Sequence, residues 1–303
     1  MRVLIGGGSG MLGRNLQERL RKNGHEVYIL SRTDSTKKEV IQWSPKVGEI
    51  DSNMTFDVVV NLAGAGLVDH AWTPKYQRII VESRTLTTKT LDHYFQKNNF
   101  TPDVYLNASA IGYYGHHPTK IFTEEDEAIQ SDFLVIVCEA WERAVHDMQT
   151  KIPNKYIARI GMVLTEKGGV FPKISTGRPI GIVPHLGDGS QFFSWIHIED
   201  LMGIFQYLIE DRPPSGIYNA VAPNPETNKS VSKMIASTGI LGLSPPVPEF
   251  MIRMILGKRA VAVLNSTRVS GQKIMDAGYE FEYTELPDAV NDLVSNLRWR
   301  PNR

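Results

Sequence analysis

Between Gly6 and Gly13 the chain reads Gly6-Gly7-Gly8-Ser9-Gly10-Met11-Leu12-Gly13, so that Gly7, Gly10 and Gly13 recur every third residue. This spacing suits the holding of a pyrophosphate. Gly7 permits a tight turn, Gly10 lets the backbone approach the anion with no Cβ in the way, and Gly13 lets a helix lie close against a strand. The anion would rest on the free N–H groups of the helix start, in the run Gly8, Ser9, Met11 and Leu12. An ordinary glycine-rich turn would use the same residues, and the flanking strand and amphipathic helix are what favour the phosphate loop.

Roughly 20 residues further on, an NAD site would place an acid on the ribose hydroxyls. Here the chain reads Ile29-Leu30-Ser31-Arg32-Thr33, with no acid. Arg32 offers a planar fork to a 2′-phosphate and Ser31 a second donor, which favours NADP(H); the competing reading makes Arg32 a surface residue and Asp34 the ribose ligand. Asn61-Leu62-Ala63-Gly64 puts small residues, Ala63 and Gly64 after Leu62, where a backbone could pass beneath an adenosine ribose, or where a strand merely turns. Arg84 could reach a phosphate or pair with Glu82 or Asp92.

These residues need elements to hold them. Val3–Gly6 reads as a buried strand, and Leu12, Leu16 and Leu20 share one face of a helix over residues 11–23. Strands follow at 26–30, 40–43 and 57–62, then a long helix at 74–98, a strand at 104–109, a helix at 131–148 and a strand at 155–160. The pattern predicts an α/β, doubly wound parallel sheet of the Rossmann type. After Gly161 the texture changes: Gly168, Gly169, Gly177, Gly181, Gly187 and Gly189 crowd a short span. Helices are expected near 230–237, 248–256 and 286–297. The division expected is a dinucleotide-binding domain over 1–220, including part of the substrate side, and a small C-terminal domain over 221–303.

Composition excludes other classes. Lys plus Arg number 33 and Asp plus Glu 33, so no net charge draws the chain to nucleic acid or an anionic bilayer. The apolar run 57–68 is interrupted by Asn61 and glycines, which rules out a membrane span. The start, Met1-Arg2-Val3-Leu4-Ile5, turns to glycine too soon for a signal or transit peptide, and the single Cys138 has no intrachain disulfide partner. The expectation is an intracellular, cytoplasmic protein with a small-molecule substrate that the motifs do not name.

The glycine loop, Asn61-Leu62-Ala63-Gly64, Tyr114-Gly115, the run Trp195-Ile196-His197-Ile198-Glu199-Asp200-Leu201 and a C-terminal Pro-Val-Pro, Leu-Gly-Lys, Leu-Asn-Ser and Gly-Tyr-x-Phe series together resemble an atypical extended short-chain dehydrogenase/reductase. More narrowly the chain resembles the "epimerase family protein" subgroup, family 39U, in which an NAD-dependent epimerase/dehydratase-like domain precedes a small C-terminal domain. The likeness spans nearly the whole chain. It implies NADP(H) held by the glycine loop, Ser31, Arg32, Leu62, Ala63 and Arg84, with Val163 at the nicotinamide end.

Active enzymes of that class use a tyrosine as general acid or base with a lysine one helical turn later. None of the eleven tyrosines here has lysine four residues on; aligned on Glu142, Leu134 and Cys138 occupy those places. A substitute pair is conceivable in Ser109 with Tyr113 or Tyr114, helped by Lys173 or His197; alternatively Ser109 is a strand-end hydroxyl and Tyr113 a packed aromatic. No metal-binding spacing is apparent among the eight histidines, and His116-His117 reads as a solvated loop pair. Two functions remain open: an oxidoreductase or epimerase acting on a small molecule, and a non-catalytic NADP(H)-binding sensor or assembly partner.

Overall fold

A computed structural model of the chain describes residues 1–67, 69–129 and 131–296. The first half alternates as β1 (Arg2–Gly6), α1 (Met11–Lys22), β2 (Glu26–Ser31), β3 (Val40–Ser44), β4 (Glu49–Ile50), β5 (Val58–Asn61), α2 (Pro74–Lys97) and β6 (Val104–Ala110). The middle follows with β7 (Ile121–Phe122), α3 (Phe133–His146), β8 (Asn154–Ile160), β9 (Met162–Leu164), α4 (Phe171–Ile174), β10 (His185–Leu186), β11 (Phe192–Phe193), β12 (Trp195–His197), α5 (Ile198–Glu210) and β13 (Gly216–Ala220). Last come β14 (Glu226–Thr227), α6 (Asn228–Ser237), β15 (Pro246–Val247), α7 (Glu249–Leu256), α8 (Val261–Leu264), β16 (Arg268–Val269), α9 (Gln272–Asp276) and α10 (Leu286–Asn296). The expected helix ending at residue 297 thus runs to Asn296, and Leu297 lies outside the described residues.

An eight-stranded sheet runs β13-β8-β6-β5-β1-β2-β3-β4. β1 pairs in parallel with both β2 and β5, and β4 alone of the registered partners turns back, antiparallel to β3. Strand order reverses beside β1, and ligands of open α/β sheets bind outside the carboxyl ends at such a point. Leu4, Val59 and Tyr105 belong to one core cluster with Leu91 and Phe95 of α2 and Val145 of α3. Val3, Ile5, Val58 and Val60, which alternate with them, are also fully buried, so both faces are covered, as a parallel sheet requires. On α1 and α5, Arg19 donates to Gln206 (2.7 Å) and His25 lies 2.7 Å from Glu210.

Two compact units emerge: residues 1–113, 131–159 and 202–218 in the first, and 114–130, 160–201 and 219–303 in the second. They replace the single boundary expected near residue 220. The physical reason is that the segments following β6 and β8 do not return at once to the sheet but build the second unit first. That unit is a set of two-stranded pairs, β7 with β16, β9 with β12, β10 with β15 and β11 with β14. Phe171, Trp195, Val231, Ile235, Val290 and Leu293 form its core.

Candidate functional site

Gly7 takes a left-handed φ of +78°, and a Cβ there would lie 2.7 Å from the carbonyl of Leu62. The loop backbone therefore lies directly on the turn that follows β5. Gly10 N–H donates to Gly7 O (3.0 Å) and closes the turn. At Gly13 a Cβ would fall 2.4 Å from Gly7 O, so only glycine lets α1 start so near the loop. Gly10 differs: a Cβ there meets nothing but Gly7 O, at 3.2 Å, and as N-cap it gives α1 no side-chain cap. The helix start is left with uncapped N–H groups, no acid in its first turn and open space before it, which is a cradle for an anion. Buried Gln17 fixes the loop by donating to Gly8 O (2.8 Å) and Gly13 O (3.1 Å), a role that no sequence motif announces.

A cavity of about 1310 Å³ opens over this loop, within the first unit. Gly7, Ser9 and Gly10 lie along it with Leu30–Thr33, Trp43–Lys46 and Leu62–Gly66. Arg32 lines it, is exposed, and has no carboxylate partner among the described residues. Asp34 is not part of the lining and accepts from the N–H of Ser35 (2.8 Å). The Ser31 hydroxyl donates to Thr33 O at 2.9 Å, holding the bend that carries Arg32. Asp69, His70 and Tyr76 also line the cavity; as lone polar residues on a loop and a helix start they gave no spacing signal.

The Asn61 side chain explains the turn beyond β5. Its amide donates to Asn107 Oδ1 (3.0 Å) and Thr88 Oγ1 (3.2 Å), and its carbonyl accepts from Ala63 N–H (3.3 Å). Buried polar groups so matched hold one geometry. Arg84 is 8% exposed, and neither Glu82 nor Asp92 pairs with it; Asp92 instead accepts from the N–H groups of Gln149 and Thr150. Its guanidinium donates to Ala65 O (3.1 Å) and Ile80 O (3.0 Å), and stacks 5.0 Å from the Trp141 ring. Its Nε has no hydrogen-bond partner in the structure, and burial lowers its pKa. Gly64 must be glycine because a Cβ would meet that guanidinium at 2.9 Å.

The candidate proton-transfer residues separate. Ser109 is buried and donates to Glu142 Oε1 (2.6 Å), which also accepts from Arg159 Nε (2.9 Å); Arg159 Nη2 reaches Oε2 at 2.8 Å. The Arg159 guanidinium in turn lies 3.5 Å from the centre of the Tyr113 ring. A cation therefore does accompany Tyr113, supplied by β8 rather than by a helical lysine. Tyr114 belongs to the second unit, is fully buried, stacks on Phe122 and donates to Asn219 Oδ1 (2.7 Å), so its hydroxyl is spent on packing. A Cβ on Gly112 would lie 3.4 Å from Leu134 Cβ and 3.9 Å from Cys138 Sγ. Both residues thus fill the space beside the turn after β6, and burial, aided by the Glu142 charge, pushes the Cys138 thiol up to about 12.

The remaining candidates lie in the second unit. Val163 is on β9, paired with Ile196 of β12, and Lys173 is on α4. His116 and His117 are not simply solvated: their Nδ1 atoms accept from Ser266 N–H (2.7 Å) and Lys120 N–H (2.8 Å). His197 is buried, and its Nδ1 accepts from Glu199 N–H (3.3 Å) at the start of α5. Among the described residues no metal-binding cluster occurs, and no helix is long and apolar enough to cross a membrane.

A sheet with its glycine loop at the strand-order reversal and an open, uncapped helix start defines a dinucleotide-binding protein of the short-chain dehydrogenase/reductase kind. Residues 3–134 match the NAD dependent epimerase/dehydratase family, and residues 247–293 match a domain of unknown function (DUF1731). The chain is 34% identical to the epimerase family protein SAR0825 of Staphylococcus aureus, over 96% of this chain and 98% of that one. It is 32% identical to the epimerase family protein YfhF of Bacillus subtilis, over 98% and 99%. The chain belongs to the epimerase family proteins. The crystal structure of human epimerase family protein SDR39U1 (isoform 2) with NADPH superimposes with a TM-score of 0.88 at 29% identity, covering 98% of this chain and 100% of that one.

Proposed function

We propose that the protein binds NADP(H) in this cavity and acts as an oxidoreductase or epimerase on a small molecule. The observation that carries the cofactor reading is Arg32: an exposed cation lining the cavity of the glycine loop, with no acid at the end of β2 and with Asp34 turned to its own backbone. The NADPH in the human relative supports it. The uncapped start of α1 would take the pyrophosphate, Arg32 the 2′-phosphate, and Arg84, a buried cation without an acid partner, is suited to a further oxygen of the dinucleotide. Once bound, the nicotinamide supplies or accepts a hydride. The chain's own share is to hold that ring and to move a proton, for which Tyr113, with Arg159 beneath its ring, is the candidate.

A second reading, an NADP(H)-binding sensor or assembly partner without turnover, is favoured by Leu134 and Cys138 beside Gly112 and by the Ser109 proton being given to Glu142. Thermal-shift titrations with NADPH, NADP⁺, NADH and NAD⁺ test the cofactor. A shift for the phosphorylated pair that exceeds that for the other pair is expected, and equal shifts would remove the Arg32 assignment. Turnover separates the two functions. Oxidation of NADPH with pooled carbonyl compounds that falls at least tenfold in Tyr113→Phe, with NADPH affinity unchanged, marks the enzyme; binding with no oxidation of any compound marks the sensor.

A further inference from the structure

The second unit exposes apolar side chains in a way that its own core does not explain. Helix α7 buries Ile252 and little else, while Phe250 (70% exposed), Met254 (74%), Ile255 (66%) and Met251 stand out. Phe250 and Met254, like Met251 and Ile255, are one turn apart, so the four make a single broad apolar face. Beside β10 and β15 a second strip carries Ile180, Ile240 (83%), Leu241 and Leu243 outward. Its backbone is locked: Leu241 N–H donates to Ile180 O (3.1 Å), Leu243 N–H to Gly181 O (2.7 Å) and Val183 N–H to Leu243 O (2.9 Å). The exposure is therefore built into the fold. These eight side chains offer on the order of 900 Å² of surface, above the ~300–600 Å² of the largest patch on a typical monomer and near the ~800 Å² that each partner buries in a standard complex.

The rim of the α7 face says which partner fits. Glu249 and Arg253 lie one turn apart at its edge, both more than half exposed, and pair with each other at 2.6 Å. A helix with an acid toward its N-terminus and a base one turn later is complementary in charge to itself when packed antiparallel about a two-fold axis. Arg253 of one copy then meets Glu249 of the other on both sides of the seam, the self-matching contact of an isologous dimer. A lipid surface would instead call for a rim of one sign. We infer that the face of α7, extended by the strip from Ile180 to Leu243, is a homodimer interface, with α7 against α7 of a second copy at its centre.

Sedimentation velocity on the full chain tests this over ~1–100 µM, where standard-size contacts have measurable dissociation. The expected result is a dimer at the upper concentrations and a monomer for Phe250→Glu with Met254→Glu, the far-UV circular dichroism and thermal midpoint of the variant matching the parent. Glu249→Arg alone should raise the dimer dissociation constant at least tenfold, and adding Arg253→Glu should return it to within about threefold of the parent. A parent that stays monomeric, a double variant that still dimerises equally, or a charge reversal without rescue would each overturn the proposal. So would a monomeric parent that sediments with phosphatidylserine vesicles, since lipid would then be the occupant.

Discussion

The two units solve the same problem, the burial of polar groups, in opposite ways. In the first, the sheet satisfies its own backbone, and the buried side-chain polar groups gather at the carboxyl ends of β5 and β6, where Asn61 orders the turn beneath the cavity and Glu142 holds Arg159. In the second, strands of two or three residues cannot close a lattice, so side chains bond the backbone in its place. Asp200, fully buried, accepts from Glu282 N–H (2.8 Å), Tyr283 N–H (2.9 Å) and the Tyr279 hydroxyl (3.1 Å), and burial still pushes its carboxyl pKa up. A continuous lattice leaves polar residues free to build a site; a broken one consumes them.

The contrast can be broken most severely at Glu142. Glu142→Ala would strand the Arg159 guanidinium, 2% exposed, and is expected to cost about 3–5 kcal/mol in urea unfolding, with Tyr113 displaced as a consequence. A loss under ~1 kcal/mol would mean that the pair is not structural. Gly10→Val comes next: its Cβ clears the protein but enters the anion cradle, so NADPH affinity should fall at least ~100-fold while the urea midpoint of the ligand-free protein barely moves. An equal fall in stability would show that the cradle is part of the core. Arg32→Ala should weaken NADPH about 10–100-fold and NADH by less than about twofold in calorimetric titration.

The smallest expected effect is at His197 in the second unit. Burial holds its imidazole below the ordinary 6.5, against the pull of Asp292, Asp200 and Glu199. A folded value below the unfolded one means stability that is present above about 6.5 and lost as the pH falls through the folded value. Unfolding free energy measured in urea should therefore drop on acidification from neutrality, by about 1 kcal/mol, and His197→Gln should lack that component. An identical slope in the variant would place the titration elsewhere.

The elements of the first unit were legible because each announces itself locally. Leu16 and Leu20 recur at helical spacing on α1, and Val58–Val60 is apolar on both faces as a central parallel strand must be. The glycine loop was legible for the same reason, since its three close approaches are made within eight residues. The partner of Arg84 was not. Glu82 and Asp92 lie near it in sequence, yet the helix delivers its guanidinium to the Ala65 and Ile80 carbonyls, beside Trp141. Nor was the cation beneath Tyr113, because Arg159 is 46 positions away and reaches it only through the sheet.

The sequence by itself determined the dinucleotide loop, the doubly wound order of strands and helices, and the lack of a tyrosine with lysine four residues on. All of these depend on residue type and short spacing, where backbone geometry alone links cause and effect. Tertiary structure alone decided that the units interleave at residues 114–130 and 160–201, that Tyr114 is a core residue while Tyr113 sits on Arg159, and that α7 turns its apolar face outward. Those outcomes depend on which distant segments share a core, a choice made by packing and by the matching of buried polar groups.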